Sequence, residues 1–154
     1  MQVLLCVSGL ESASFVRRVM ERVRDADLTV ALLYIIDERS PEEIGYVRRQ
    51  PAAARRQSTG TNGESELAIE VLAEATAALT ALKVDETRIR RYIARGRPGE
   101  LIVAHAVDLR ADVIAIGSRH RGAPVSVPRN GPPSIGPVAR YVLDHAPCDI
   151  LLLR

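Results

Sequence analysis

The sequence predicts an α/β fold, a single doubly wound parallel sheet of five strands with helices on both faces. Short apolar runs alternate with amphipathic segments along the whole chain. The runs are continuously apolar, which is typical of strands buried on both faces of a parallel sheet. Parallel strands need helical crossovers, and right-handed crossovers place those helices on both faces of the sheet.

Length and composition favour one soluble domain over residues 1–154. The chain is 47% hydrophobic and 26% charged, with a formal net charge of +2, so it has no general attraction for nucleic acid or anionic membranes. No apolar run approaches the roughly 18 residues that a membrane-spanning helix needs. The first ten residues lack a basic region and a cleavage site, so a cytoplasmic location is expected.

The amino-terminal elements follow from hydrophobic periodicity. Val3–Val7 is an apolar run ended by Ser8 and Gly9, and it predicts the first strand. Apolar residues at helical spacing predict a helix over Glu11–Arg24. Leu28–Ile36 predicts the second strand. Residues 37–63 show no periodicity and contain several glycines and prolines, which indicates a long loop.

The remaining elements are predicted in the same way, up to the last residues of the chain. Acidic residues in a first turn and a Gly-Arg-Pro-Gly turn mark two of the helix starts. A Gly/Pro-rich loop is expected over residues 119–133. The predicted elements are helix Glu64–Leu82, strand Glu86–Arg95, helix Gly99–Arg110, strand Asp112–Gly117, helix Ser134–His145 and strand Cys148–Leu153.

Doubly wound folds bind ligands beyond the carboxyl ends of their strands, where the strand order reverses. In this chain those ends are Ser8-Gly9, Ile36-Asp37 and Gly117-Ser118. The sequence therefore predicts a ligand site at this edge of the sheet.

Two stretches near the carboxyl terminus resemble the universal stress protein family. They are Ala111–Arg119 (ADVIAIGSR) and Gly136–Cys148 (GPVARYVLDHAPC), and both Tyr34–Asp37 and Gly96–Pro98 fit the family as well. The resemblance implies the strand order 3-2-1-4-5 and a role in stress response. In many members it also implies a bound ATP or AMP.

In nucleotide-binding members the phosphates lie against a motif of Gly, two residues, Gly, nine residues, and Gly-Ser or Gly-Thr. Glycines let the backbone approach the phosphates, and a helix amino terminus supplies N–H donors. Here Gly117 and Gly136 match the outer glycines, and fifteen residues rather than nine precede the last glycine. His120 stands at the second glycine position, with Gly122 two residues later, and Pro137 replaces the hydroxyl residue.

The adenosine part of the implied site is also altered. The family's aspartate at the end of the first strand aligns with Ser8, which is a weaker hydrogen-bonding partner. Ile36 would offer its backbone to adenine. Arginines of the same loop would pair with phosphate oxygens. The implied nucleotide contacts are Ser8, Ile36, Gly117, Arg119, His120, Arg121, Gly122, Gly136, Pro137 and Val138.

The resemblance and its departures together predict a dimeric binding or regulatory module with a degenerate ATP motif. The alternative is an ATP- or AMP-dependent switch. A third, less favoured alternative is a nucleic-acid accessory protein acting through four arginines within Arg48–Arg56, a segment that has no aromatic residue to stack a base. The regulatory partner protein is not identified by the sequence.

Catalysis and metal binding find no support in the sequence. It contains no nucleophile motif, so no turnover is predicted, although slow ATP hydrolysis stays open. His105, His120 and His145 lack metal-ligand spacing. Cys6 and Cys148 are expected to pack as small hydrophobic residues without forming a disulfide.

The two edge strands in the implied order differ in character. The third strand carries Arg88, Arg90, Arg91 and Arg95, charges that protect an exposed edge. The last strand, Asp149–Leu153, has an apolar interior. Pairing of this strand with a second copy about a two-fold axis would cover it, so a homodimer is predicted.

Overall fold

A computed structural model describes residues 1–37, 66–118 and 135–154. The predicted loops at 37–63, apart from Asp37, and at 119–133 lie outside the described residues. The strands are β1 (Gln2–Cys6), β2 (Thr29–Ile36), β3 (Ile89–Arg95), β4 (Val113–Gly117) and β5 (Asp149–Leu153). The helices are α1 (Ser12–Met20), α2 (Glu66–Ala81), α3 (Pro98–Asp108) and α4 (Pro137–His145), with single 3-10 turns at Gly9–Glu11 and Glu86–Arg88.

The strands form one parallel sheet in the order β3-β2-β1-β4-β5, which confirms the predicted order. The ladder between β1 and β2 ends at the pair Cys6–Leu33. The ladder between β1 and β4 ends at the pair Leu5–Ala115. In the described part of the chain no helix is long and apolar enough to cross a bilayer.

Each face of the sheet has its own hydrophobic core. Leu5 and Leu32 are fully buried under α1 and α2, together with Val16 and Val71 of those helices. Successive side chains of a strand point to opposite faces. Leu4 therefore packs on the other face, in the core that α3 and α4 cover. This two-sided burial is why the strands read as continuous apolar runs.

Several element bounds are shorter than predicted. The helix expected over Glu11–Arg24 ends at Met20, although Val23 is still buried and its N–H still donates to the Val19 carbonyl (3.0 Å). The apolar periodicity continues past the helix because the following turn packs into the same core.

The starts of β3 and α4 also differ from the prediction. The strand expected from Glu86 begins at Ile89, because an Asp85 carboxylate oxygen accepts the N–H of Thr87 (2.9 Å) and holds a 3-10 turn there. The helix expected from Ser134 begins at Pro137. The fixed φ angle of proline favours the first helical position.

Helices α2 and α3 are each followed, two residues after the last helical residue, by a cationic residue in the left-handed conformation. Lys83 has φ 68° and Arg110 has φ 50°. After α2, the N–H of Val84 donates to the Leu79 carbonyl (3.1 Å) and the N–H of Lys83 to that of Thr80 (2.9 Å). This is the Schellman motif, in which the left-handed position is usually glycine.

Candidate functional site

The ladder between β1 and β4 ends at Leu5–Ala115 before either strand does, and the crevice of a doubly wound fold lies between these carboxyl ends, where the strand order reverses. Within a strand, successive residues direct their backbone groups to alternate neighbours. The N–H of Ser118 donates to the Leu153 carbonyl of β5 (2.7 Å), so the preceding residue, Gly117, faces β1. On β1, the Gln2 carbonyl accepts the N–H of Asp112 (2.8 Å), so even-numbered residues, including Ser8, face β4. Ser8 and Gly117 therefore border the crevice from its two sides.

Ser8 leaves β1 in an extended conformation, with φ −154° and ψ 141°. Its side chain is exposed and makes no capping hydrogen bond to the turn that follows. Gly9 has φ +66°, a conformation that L side chains rarely adopt, so the chain turns sharply into α1 at this point. The Ser8 hydroxyl is thus available to a ligand in the crevice.

The end of β2 presents Ile35 rather than Ile36 to the crevice side. The N–H of Val7 donates to the Leu33 carbonyl (3.0 Å), so Leu33 and Ile35 direct their backbone groups toward β1. The Ile36 carbonyl accepts the N–H of Gly96 (3.2 Å), on the side of β3. Because the β1–β2 ladder ends at Cys6–Leu33, the backbone of Ile35 lies beyond the last ladder pair.

Within the described residues, the first turn of α4 leaves two backbone N–H groups for a ligand. A helix leaves its first four N–H groups without intrahelical partners. The N–H of Gly136 donates to the Ser118 carbonyl (2.8 Å), and Pro137 has no N–H. Val138 and Ala139 remain, and their N–H groups carry the positive end of the helix dipole.

The fold agrees with the comparisons to known proteins. The sequence model of the universal stress protein family matches residues 1–154. The chain belongs to the universal stress protein family.

Among individual universal stress proteins, one from Thermus aquaticus is 29% identical over 152 residues, which cover 99% of this chain and 97% of that protein. The structure of an Archaeoglobus fulgidus universal stress protein in complex with dAMP has a TM-score of 0.62 and 17% identity, covering 100% of this chain and 98% of that one. An Arabidopsis thaliana member with AMP bound has a TM-score of 0.62 and 14% identity, covering 99% and 90%. These two structures share the fold.

Against the universal stress protein motif, the structure brings several predicted residues to one edge of the sheet. They are Ser8, Ile36, Gly117, Gly136, Pro137 and Val138. Arg119, His120, Arg121 and Gly122 lie outside the described residues, as do Arg48–Arg56. The prediction did not include Ile35 or Ala139. The position of Ala139 two residues after a proline that starts a helix was a usable signal.

The described histidines of this universal stress protein have partners within their own helices. His105 Nδ1 lies 2.8 Å from the Leu101 carbonyl oxygen, and its ring meets Tyr92 edge-on at 5.9 Å. His145 Nδ1 lies 2.8 Å from the Tyr141 carbonyl oxygen, and the two rings stack at 4.1 Å. These contacts give both side chains a structural role.

Cys6 and Cys148 are free thiols. Burial raises the pKa of the Cys6 thiol well above its usual range. Burial, followed by the charges of Asp149 and Asp112, also raises the pKa of Cys148. Both thiols are therefore protonated at neutral pH, and they are poor nucleophiles in that form.

Proposed function

We propose that this universal stress protein is a regulatory binding protein that takes an adenosine monophosphate in the crevice between β1 and β4. It acts through binding rather than turnover, and it does not cradle a triphosphate. One observation carries the proposal. The amino end of α4 offers at most two amides to a phosphate, those of Val138 and Ala139, because the N–H of Gly136 is bound to Ser118 and Pro137 has none.

The adenosine part fits the crevice on the β1 side. The backbone N–H and carbonyl of Ile35 lie beyond the last β1–β2 pair, where a base edge would meet one donor and one acceptor. We therefore assign the adenine contact to Ile35, in place of Ile36, whose carbonyl is bound to Gly96. Ser8 contributes one hydroxyl toward the ribose.

The phosphate part fits the α4 side. The amides of Val138 and Ala139, with the helix dipole behind them, suit the oxygens of a single phosphate group. Gly117 has no side chain, which leaves room for that phosphate group beside its backbone. A β- or γ-phosphate would depend on Arg119, His120, Arg121 and Gly122, in which the family's glycine spacing is lost. The complexes of two relatives with dAMP and AMP support the choice of a monophosphate.

Isothermal titration calorimetry with AMP and ATP tests this proposal. We expect the two dissociation constants to agree within about threefold, because the additional phosphates gain no cradle. Val138→Pro removes one of the two amides at a helix position that tolerates proline, and it should weaken AMP binding about tenfold. Val138→Ala keeps the amide and is the matched control.

ATP binding that is more than about thirtyfold tighter than AMP binding would support the alternative, a nucleotide switch with a working triphosphate site. The absence of binding by either nucleotide would contradict the proposal altogether. Incubation with ATP should release no ADP above the level of a protein-free control, because the protein is proposed to act without turnover.

We further propose that the protein is a homodimer joined through β5. The Leu153 carbonyl of β5 accepts the N–H of Ser118, which follows β4. Ile150 and Leu152 of β5 therefore direct their backbone groups to the other side, away from the sheet. Their side chains are only half-buried. Antiparallel pairing with a second β5 would satisfy those backbone groups and bury the apolar side chains.

The two free thiols support a cytoplasmic location, where cysteines stay reduced.

A further inference from the structure

The outer edge of β3 carries unpaired backbone groups. In the described part of the sheet β3 pairs with β2 alone. The N–H of Gly96 donates to the Ile36 carbonyl of β2. Even-numbered residues of β3 therefore direct their backbone groups toward β2, and odd-numbered residues direct theirs outward. Arg91 and Ile93 are two outward residues, and each offers one N–H and one carbonyl to an added strand.

Two neighbouring arginines of β3 have no side-chain partner among the described residues. Arg90 and Arg91 are exposed, and neither forms a hydrogen bond or an ion pair through its side chain with a described residue. The arginines before and after them are engaged: Arg88 Nη1 donates to the Ala26 carbonyl (2.9 Å), and Arg97 Nη1 donates to Glu100 (3.0 Å).

The two unpartnered arginines lie on opposite faces of the strand. Tyr92 belongs to the core under α3 and α4, so Arg90 projects on that side. Ile93 belongs to the core under α1 and α2, so Arg91 projects on the other. An added strand also alternates its side chains. Two consecutive acidic residues in it would therefore meet both arginines, one on each face.

We propose that the β3 edge binds an extended acidic segment of a partner protein as a sixth strand. Backbone pairing to Arg91 and Ile93 would supply affinity, and two adjacent carboxylates against Arg90 and Arg91 would supply selectivity. The half-buried Tyr92 and Ile93 favour β-branched residues next to the acidic pair. The same positive charges repel a second β3, so the edge discriminates between an acidic strand and a copy of itself.

A nucleic acid fits this edge less well. Single-stranded nucleic acids bind where aromatic rings are free to stack on bases. The aromatic residue of β3, Tyr92, is half-buried, and its ring packs edge-on against His105. A nucleic acid also lacks the evenly spaced N–H and carbonyl groups with which a strand pairs along an edge.

Fluorescence anisotropy with a labelled peptide, Thr-Val-Thr-Glu-Glu-Val-Thr-Val, tests the proposal on the intact protein. The double variant Arg90→Glu/Arg91→Glu should bind at least about tenfold more weakly, through loss of attraction and gain of repulsion. The control variant Arg24→Glu/Arg140→Glu carries the same change of charge at exposed sites outside β3, and its affinity should change less than about threefold. A peptide with proline in place of the valine that follows Glu-Glu should not bind, because proline has no N–H to donate to a neighbouring strand.

Amide hydrogen exchange separates strand addition from charge attraction. The bound peptide should slow exchange at Arg91 and Ile93 at least about tenfold, and leave Arg90 and Tyr92, which already bond to β2, unchanged. Binding without this protection would overturn the proposal. So would tighter binding of a twelve-nucleotide single-stranded RNA than of the peptide, or equal effects of the two charge-reversed variants.

Discussion

Gly99 of α3 lies against the side chain of Tyr141 in α4. A Cβ placed on Gly99 would be 2.8 Å from Tyr141 Cδ1, 2.9 Å from its Cγ and 3.1 Å from its Cβ. Rotation of the ring about χ2 would move Cδ1 but not Cγ or Cβ, so it would not clear the contact. The two helices over this face of the sheet approach each other this closely only because residue 99 has no side chain.

Gly99→Ala should therefore destabilise the protein by roughly 1–3 kcal/mol, as overpacking does, despite the better helix propensity of alanine. Thermal and urea unfolding measure the change. In a double-mutant cycle, adding Tyr141→Ala should recover part of the loss, because it removes the Cδ1 and Cγ atoms that collide. Equal stability of Gly99→Ala and the unmutated protein would show that α4 shifts at little cost.

The left-handed residue after α2 predicts a stabilising substitution. Lys83→Gly should raise the free energy of unfolding by about 0.5–1 kcal/mol, because glycine adopts positive φ without the clash of a Cβ. Lys83→Ala keeps the Cβ and loses the same charge, so it should bring no such gain. Urea unfolding of the three proteins decides between backbone strain and charge, and equal gains for both variants would contradict the strain explanation.

The exposed serine at the crevice predicts a gain of nucleotide affinity. Ser8→Asp places a carboxylate at the position where the family resemblance implies aspartate, and AMP should bind at least about tenfold more tightly. A hydrogen bond to an ionised group contributes roughly 1.5–3 kcal/mol. Ser14→Asp adds the same charge on the exposed face of α1 and should leave the affinity unchanged. Calorimetry with AMP measures both, and equal affinities would remove Ser8 from the site.

The apolar edge strand predicts how the oligomer responds to charge. Leu152→Lys puts a cation on each copy within the proposed β5 pairing, where the two charges repel, and should convert the dimer to monomer. Light scattering measures the mass. Leu143→Lys introduces the same charge on an exposed position of α4 and is the control. A monomeric unmutated protein, or a dimer that survives Leu152→Lys, would contradict the β5 interface.

The strands followed from apolar periodicity, which reports burial, and their order followed from the family resemblance. Helix ends followed less well. Val23 is apolar and buried but lies beyond α1, so periodicity alone cannot separate the last helical turn from a packed turn after it. Nothing in the sequence marked Lys83 and Arg110 as left-handed, since the usual glycine signal is missing at both.

The candidate site was predictable in its location but not in its hydrogen bonds. The apolar run that ends in Ile35 and Ile36 does not reveal which backbone faces which neighbouring strand, because that depends on register. The bond from Gly136 to Ser118 joins residues on either side of a long stretch of chain. This bond removes the Gly136 N–H from the groups that could donate to a phosphate, and no sequence motif predicts it.

The two edge strands of the sheet differ in composition: β5 is leucine-rich and β3 is arginine-rich. Growth of a sheet into a fibril requires that both edge strands pair with another molecule. In the proposed dimer the leucine-rich edge is paired with a second copy, and the arginine-rich edge repels further copies, so growth would stop at two subunits. The difference between the two edges thus disfavours polymerisation.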